Sequence, residues 1–117
     1  MDEYEENLVD LINDVRAELG MPGLPFVVAN TGIGGPSETN ARALALMKAQ
    51  LNVGDDTLYL EFADNVSSID TRPFWREASE SPITSGNQGF HWNQNGETMF
   101  FIGDAMGREM IDLLPNP

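Results

Sequence analysis

The first third of the chain combines a helical stripe with a short apolar run. Apolar residues before Gly20 fall at helical spacing, and these are Leu8, Leu11, Ile12, Val15 and Leu19. Residues three and four apart share one face of a helix, so the pattern predicts a helix over residues 4–19, which Gly20 and Pro22 end. The apolar run of residues 25–29 then predicts a strand at 25–30 that is buried on both faces.

The middle of the chain adds a second helix and one or two short strands. Residues 38–51 are rich in alanine and leucine, and Ser37 or Thr39 is a suitable N-cap, so a helix is predicted there. Apolar and polar residues alternate over 58–62 as in a strand, and 66–69 resembles a second short strand.

The last part of the chain contains a long loop and a final helix. Residues 71–89 hold prolines, glycines and several serines, a composition that is typical of a loop. A helix is predicted over 96–113, with Gly103 and Gly107 as positions where a neighbouring backbone packs closely. This alternation of helices and short strands predicts a single α/β domain over residues 1–117, with a short parallel sheet flanked by helices.

Charge narrows the possible partners. The chain carries 19 acidic and 6 basic residues, for a net charge of −13. Such a surface repels nucleic-acid phosphates and anionic membranes, so neither is expected as a partner. The acidic residues are scattered, which favours a role in solubility or adaptation to salt over a cation-binding surface. No apolar run approaches the roughly 18 residues of a membrane span, and no signal peptide is recognised, so localisation stays open.

The one histidine of the chain is the candidate general base. His91 lies in the sequence Gly-Phe-His-Trp-Asn-Gln-Asn of residues 89–95, just before the final helix. Histidine commonly takes up protons in catalysis, and loops at the mouth of an α/β sheet carry many catalytic side chains. The alternative is a packed or surface histidine. Because the chain has no cysteine, only carboxylates remain as further metal ligands, and neither a metal nor a cofactor is expected.

A catalytic histidine needs an acid that orients it and a nucleophile that it activates. Gln88, three residues earlier, can accept a hydrogen bond from the imidazole but carries no charge, and Asp70 or Glu97 could act instead only if the fold brought them close. Six serines are candidate nucleophiles, and none lies in a Gly-x-Ser-x-Gly setting: Ser37, Ser67, Ser68, Ser79, Ser81 and Ser85.

Two groups of residues are candidates for a substrate pocket. The glycine-rich loop 31–35 could offer backbone N–H groups to an oxyanion, although a tight turn explains its glycines equally well. The aromatic clusters 74–75 and 90–92 suit the apolar faces of sugars, and they suit an ordinary core equally well. The pocket candidates are Thr31, Gly32, Gly34, Trp75, Gln88 and Trp92.

Several segments of the chain also resemble a known family. They are Leu-Gly-Met-Pro-Gly-Leu-Pro-Phe-Val-Val at 19–28, Asp-Thr-Arg-Pro-Phe-Trp at 70–75, Gly-Phe-His-Trp-Asn-Gln-Asn-Gly-Glu-Thr at 89–98, and the closing segment 102–110. Together they resemble the carbohydrate esterases of the sialate O-acetylesterase-like group, which belong to the SGNH hydrolases. The resemblance extends over residues 3–114.

The resemblance implies a flavodoxin-like three-layer α/β/α fold, incomplete in this chain. In the family, a serine attacks the acetyl ester of a sugar and a histidine is the base, and His91 matches that histidine. The family's nucleophilic serine, its oxyanion-hole glycine and its Trp-x-Gln-Gly-Glu-like segment would all precede Met1. The chain thus resembles the carboxyl-terminal half of such an enzyme, with an acetylated carbohydrate as substrate once the domain is completed. Family members are often extracellular or periplasmic.

Two functions are therefore open. The chain is either part of a split or truncated esterase that contributes His91 and is inactive alone, or a non-catalytic remnant that serves as a binding or assembly module. A sheet without its first strands would expose an edge and an apolar face. We therefore expect self-association or a partner chain that completes the sheet.

Overall fold

Three helices and two strands form the framework of the computed structural model, which describes residues 2–82 and 88–114. In chain order they are α1 (Asp2–Leu19), β1 (Phe26–Ala29), α2 (Ala41–Asn52), β2 (Val66–Ile69) and α3 (Gly96–Leu113). The fold is a compact mixed α/β domain, mostly helical, with a short two-stranded parallel sheet. The predicted α/β class and parallel sheet are confirmed. Among the described helices, none combines the length and the apolar character needed to cross a bilayer.

The predicted helices and the first strand are confirmed to within a few residues, at 4–19, 38–51, 96–113 and 25–30. The four residues of β1 are half-buried, so the predicted full burial on both faces is wrong. The largest difference is the start of α2. The side chain of Asn40, and not that of Ser37 or Thr39, accepts hydrogen bonds from the first free backbone amides of the helix, those of Arg42 and Ala43. An asparagine cap of this kind fixes where a helix begins.

The strand predicted over 58–62 is wrong, because this segment forms turns that end in a 3-10 turn at Leu60–Phe62. Asp55 starts these turns: its carboxylate accepts a hydrogen bond from the Thr57 amide, and its carbonyl accepts bonds from the two amides that follow. Of the three alternating apolar residues only the last, Phe62, is buried. Local hydrogen bonds to an aspartate therefore outweigh the alternating pattern here.

Helices contact both faces of the sheet. β1 and β2 lie side by side in parallel and pair residue for residue. Successive side chains of a strand point to opposite faces. The Ser67 hydroxyl donates to the carboxylate of Glu109 on α3 at 2.6 Å, whereas the Ser68 hydroxyl donates to the backbone carbonyl of Gln50 on α2 at 2.9 Å. α2 and α3 therefore lie on opposite sides of β2.

The apolar core lies where α1 meets the sheet. Its buried centre consists of Ile12, Val53, Phe62 and Val66, with Leu8, Val9, Phe26 and Tyr59 packed against it. This small cluster is the main source of the free energy of folding that burial of apolar surface can supply.

Arg16 joins α1 to the segments that lead into both strands. Its guanidinium Nη2 donates to the Leu24 carbonyl at 2.7 Å and to the Asn65 side chain at 2.6 Å. The guanidinium also lies over the rings of Phe26 and Phe62, at 5.7 and 5.2 Å from their centroids. Burial lowers the pKa of Arg16. These hydrogen bonds and aromatic faces stabilise the buried positive charge of the guanidinium.

The interpretation of Gly103 and Gly107 as close-packing positions is not met within the described residues. Both glycines are exposed, and a Cβ added at either would meet no heavy atom within 4 Å. Three large apolar side chains of the same helix are exposed as well, namely Met99, Phe100 and Ile111. α3 thus has an apolar surface that no described residue covers.

Replacing Ile12 by alanine tests the core. Ile12 is 1% exposed, and Leu11 beside it on α1 is 55% exposed. We expect Ile12→Ala to lower the free energy of unfolding by about 2–4 kcal/mol, because it removes buried methylene groups and leaves a cavity. Leu11→Ala is the matched control and should cost less than about 1 kcal/mol. Urea denaturation followed by circular dichroism gives both values, and equal losses would contradict this location of the core.

Candidate functional site

The candidate site lies at the carboxyl ends of the two strands. Three segments meet there: the loop after β1, the segment after β2 and the residues that lead into α3. Parallel strands of an α/β sheet bring their carboxyl ends to one edge, where sites of such folds are commonly found.

A buried hydrogen-bond junction joins the two strand ends. Asn30 follows β1 directly, and its Oδ1 accepts from the Thr71 backbone amide at 2.8 Å. The Thr71 hydroxyl lies 2.8 Å from both the backbone oxygen and Oδ1 of Asn30, and it accepts from the Gly32 amide at 3.1 Å. Asn30 and Thr71 are 3% and 0% exposed. The junction therefore fixes the loop after β1 against the segment after β2.

Asp70 is held by Arg72 and Asn30. Arg72 donates to the carboxylate through Nε and Nη2, the shortest distance being 2.6 Å, and Asn30 Nδ2 donates to it at 3.0 Å. The hydrogen bonds from Arg72, helped by Asn30 and opposed by partial burial, lower the pKa of Asp70 to about 2. This carboxylate makes no hydrogen bond to His91. Asp70 thus has a structural partner of its own.

Most backbone amides of the glycine-rich loop are already hydrogen-bonded to other groups of the protein. The amide of Thr31 donates to the Gln50 side chain and that of Gly32 to Thr71, while those of Ile33 and Gly35 donate within the loop. Only the Gly34 amide makes no hydrogen bond to a described residue. Gly34 has a φ of 87°, a left-handed conformation that favours glycine. The loop is therefore a tight turn that leaves one N–H group for a ligand.

Two tryptophans connect this loop to the histidine segment. Trp75 packs against the backbone of Gly35, where an added Cβ would lie 2.8 Å from the indole ring. The rings of Trp75 and Trp92 are tilted against each other with their centroids 5.7 Å apart. Both side chains are half-buried. The structure thus brings Trp75 and Trp92 together beside the turn after β1.

His91 itself is exposed at the end of this arrangement. Its ring centroid lies 4.4 Å from that of Phe90, which is 66% exposed. Within residues 2–82 and 88–114, no side chain makes a hydrogen bond to the imidazole. Gln88 contributes its backbone carbonyl, which accepts from the His91 amide at 2.8 Å, and not a side-chain bond to the ring. The imidazole is accessible but has no orienting acid among these residues.

The other candidate acid and the serines do not reach His91 either. Glu97 pairs with Arg76 at 3.6 Å. The hydroxyls of Ser37, Ser67, Ser68 and Ser81 are hydrogen-bonded to other groups, and that of Ser79 makes no hydrogen bond to a described residue. Ser85 lies outside the described residues. The described chain therefore presents a possible base without a nucleophile in contact.

A left-handed turn directly after His91 was not predicted. Trp92, Asn93 and Gln94 have φ values of 53°, 51° and 54°. Asparagine tolerates this region better than most residues, so Asn93 was a weak signal in the sequence. Nothing in the residue types of Trp92 or Gln94 indicates it.

Among the described residues, no group of three or more histidine, cysteine or acidic side chains could hold a metal ion.

Comparisons with models of protein families, with curated proteins and with solved structures give no significant match. No family is therefore shown for this chain, and the resemblance to carbohydrate esterases remains a prediction from the segments named above.

The Asp70–Arg72 pair should make stability depend on pH. The pKa of Asp70 in the folded chain, about 2, is below its ordinary value of 3.8. The carboxylate therefore contributes stability that is fully present above about pH 4 and is lost as the pH falls toward 2. Asp70→Asn should cost about 1 kcal/mol at pH 7, and this cost should shrink below pH 4.

Urea denaturation at several pH values measures this difference. Asp10→Asn is the control, because Asp10 is exposed and its carboxylate makes no hydrogen bond to a described residue. An Asp70→Asn cost that stays constant from pH 7 to pH 2 would contradict the role assigned to the pair.

Proposed function

We propose that this chain is the carboxyl-terminal portion of a carbohydrate O-acetylesterase of the SGNH type, and that it supplies the catalytic histidine, His91. One observation carries the proposal. The one histidine of the sequence is exposed at the carboxyl edge of a parallel sheet, on the loop that enters the final helix. In the sialate O-acetylesterase-like group that the chain resembles, the corresponding histidine is the base.

The packing around the sheet supports a flavodoxin-like, three-layer arrangement. The Ser67 and Ser68 side chains point to opposite faces of β2 and bind α3 and α2, respectively. Helices on both faces of a parallel sheet are characteristic of this architecture. We infer that the two strands described here are the last two of a larger sheet.

His91 has the exposure that proton transfer requires. In ester hydrolysis of this type, histidine takes the proton of a serine hydroxyl as the serine attacks the acetyl carbonyl, and it gives that proton to the sugar oxygen as the ester C–O bond breaks. Water then releases the acetyl group from the serine. The Gly34 N–H, which no described residue accepts, is the one donor that the loop after β1 could offer to the developing oxyanion. The serine itself would come from the segment that completes the domain.

The aromatic rings near His91 suit a carbohydrate. Trp75 and Trp92 pack together, and Phe90 exposes its ring next to the imidazole. Stacking of an apolar sugar face on such rings would bring an acetyl group close to the base. An acetylated carbohydrate is therefore the proposed substrate, and the proposed reaction needs no cofactor.

Esterase assays test this function directly. The chain alone should not hydrolyse p-nitrophenyl acetate or acetylated sugars above the rate of free imidazole, because no serine among the described residues is in contact with His91. Co-expressed with an amino-terminal half that carries the family's serine, it should become active. His91→Ala should then lower kcat by about a thousandfold or more, with the fold unchanged by circular dichroism.

Ser37→Ala and Ser79→Ala are the controls for that assay, because both serines are exposed and neither contacts His91. Their activity should match that of the parent. Robust hydrolysis by the chain alone, lost when one of its own serines is replaced, would contradict the proposal.

A second candidate function is that of an assembly module, and the free edge of β1 favours it. Phe26 and Asn30 donate their amides to the Asn65 and Ile69 carbonyls, so alternate residues of β1 bond to β2. The backbone groups of the intervening residues, Val27 and Ala29, point away from β2 and make no hydrogen bond within the described residues. An edge of this kind favours pairing with another strand, from a second copy or from a partner that completes the sheet.

Proline at this edge distinguishes pairing from folding. Ala29→Pro removes an N–H group that points away from β2, so it should block pairing at the edge and largely preserve the fold. Val28→Pro removes an N–H group of the β1–β2 ladder and should unfold or strongly destabilise the chain. Light scattering should give a mass above the monomer for the parent at high micromolar concentration and a monomer for Ala29→Pro. A stable parent monomer would contradict self-association.

A further inference from the structure

The residues after His91 adopt a backbone conformation that has to be held in place. Trp92, Asn93 and Gln94 are three consecutive non-glycine residues with φ between 51° and 54°. The left-handed region is unfavourable for an L-residue, because its Cβ comes too close to the following carbonyl oxygen. Such strain persists only where neighbouring groups fix it, and it is often found at functional sites.

Asn93 supplies the contacts that hold this turn. It is 4% exposed, and its Nδ2 donates to the Arg76 backbone carbonyl at 2.9 Å. Its backbone amide donates to the Gln88 carbonyl at 3.0 Å, the same carbonyl that accepts from the His91 amide at 2.8 Å. One buried side chain thus ties the turn after His91 to the segment after β2.

The start of α3 has contacts of its own besides the bond from the Asn95 amide to the Trp92 carbonyl of the turn. Asn95 caps that helix, since its Oδ1 accepts from the Thr98 amide at 3.1 Å. The Asn95 Nδ2 donates separately to Ser81 at 3.2 Å. The Thr98 hydroxyl also joins the start of α3 to the Phe74 carbonyl at 2.7 Å. The start of α3 is therefore fixed by residues other than Asn93.

What the turn does is separate His91 from its neighbours. His91 is exposed, whereas Trp92 packs against Trp75 and Asn93 is buried. We propose that Asn93 is a positioning residue that, through the left-handed turn of residues 92–94, holds His91 outward at the carboxyl edge of the sheet beside the paired indoles. This inference rests on the proposed function of His91 as a base.

Two asparagine-to-aspartate variants test the inference. Asn93→Asp keeps a residue that tolerates the left-handed region and has nearly the same shape, but it replaces the amide donor to Arg76 by an acceptor. Asn95→Asp is the matched control, because it likewise removes an amide donor, the one to Ser81, and retains the acceptor that caps α3. The comparison therefore isolates the bond from Asn93 Nδ2 to the Arg76 carbonyl, which is the anchor of the turn.

The sole histidine of the chain provides a direct readout. In a chain labelled at histidine Cε1, the imidazole gives one NMR signal, because the sequence has one histidine. Asn93→Asp should shift or broaden this signal and weaken the proton contacts between Trp75 and Trp92, whereas Asn95→Asp should leave both unchanged. A folded Asn93→Asp chain with the parent's His91 signal and the parent's Trp75–Trp92 contacts would overturn the inference.

A glycine pair covers the case in which Asn93→Asp fails to fold. Asn93→Gly adopts the left-handed conformation freely but has no anchor, so it should change the His91 signal in the same way. Gln94→Gly relieves the same kind of strain and keeps the anchor, so it should raise the midpoint of urea unfolding and leave the signal in place. Equal signals for both glycine variants and the parent would also overturn the inference.

Kinetics of the completed domain give a second, independent readout. Asn93→Asp should lower kcat by about a hundredfold, because it displaces the base from the acetyl group. Asn95→Asp should retain the kcat of the parent. An unchanged kcat for Asn93→Asp overturns the positioning role, whereas a completed domain without any His91-dependent activity overturns the proposed function and leaves the NMR test to decide the positioning.

Discussion

A buried junction between Asn30 and Thr71 holds the two strands together at the edge that carries the candidate site. Both residues are almost fully buried, and their hydrogen bonds, 2.8 Å long, join the end of β1 to the end of β2. The Gly32 amide binds the same threonine hydroxyl, so the turn after β1 depends on this junction as well. Buried polar groups are costly unless they are paired, and this pairing therefore fixes one arrangement of the loops.

The segment after β2 fixes the backbone on either side of the histidine loop to the sheet edge. Phe74 and Arg76 offer backbone carbonyls to Thr98 and Asn93, so the start of α3 and the turn after His91 are both fastened to the sheet edge. The imidazole of His91 takes part in none of these hydrogen bonds. An exposed ring on a firmly held backbone is suited to exchanging protons with a molecule that arrives from outside, and this is the basis of the proposed role in ester hydrolysis.

Two surfaces that no described residue covers also support a domain that is completed by further chain. The Val27 and Ala29 backbone groups face away from β2, and α3 exposes apolar side chains on either side of Gly103 and Gly107. Helical glycines lower stability by about 0.5–1 kcal/mol each relative to alanine unless something is gained from their small size. A further strand and a further helix beside these surfaces would give both features a physical reason, which is why we favour a domain completed by additional chain.

The sequence by itself determined the framework: apolar spacing predicted three helices and the first strand, because burial of one helical face or of a short apolar strand is a local property of the pattern. It also identified His91, since no other histidine exists in the chain. Phe62 lies in a 3-10 turn and not in a strand, because Asp55 binds the amides that follow it, a local effect that the alternating pattern does not reveal. Tertiary structure decided the rest. Asp70 is bound by Arg72 and Asn30, and the turn at Asn93 is held by the distant Arg76 carbonyl. Those partners are far apart in the chain or compete with one another, and only the folded arrangement selects among them.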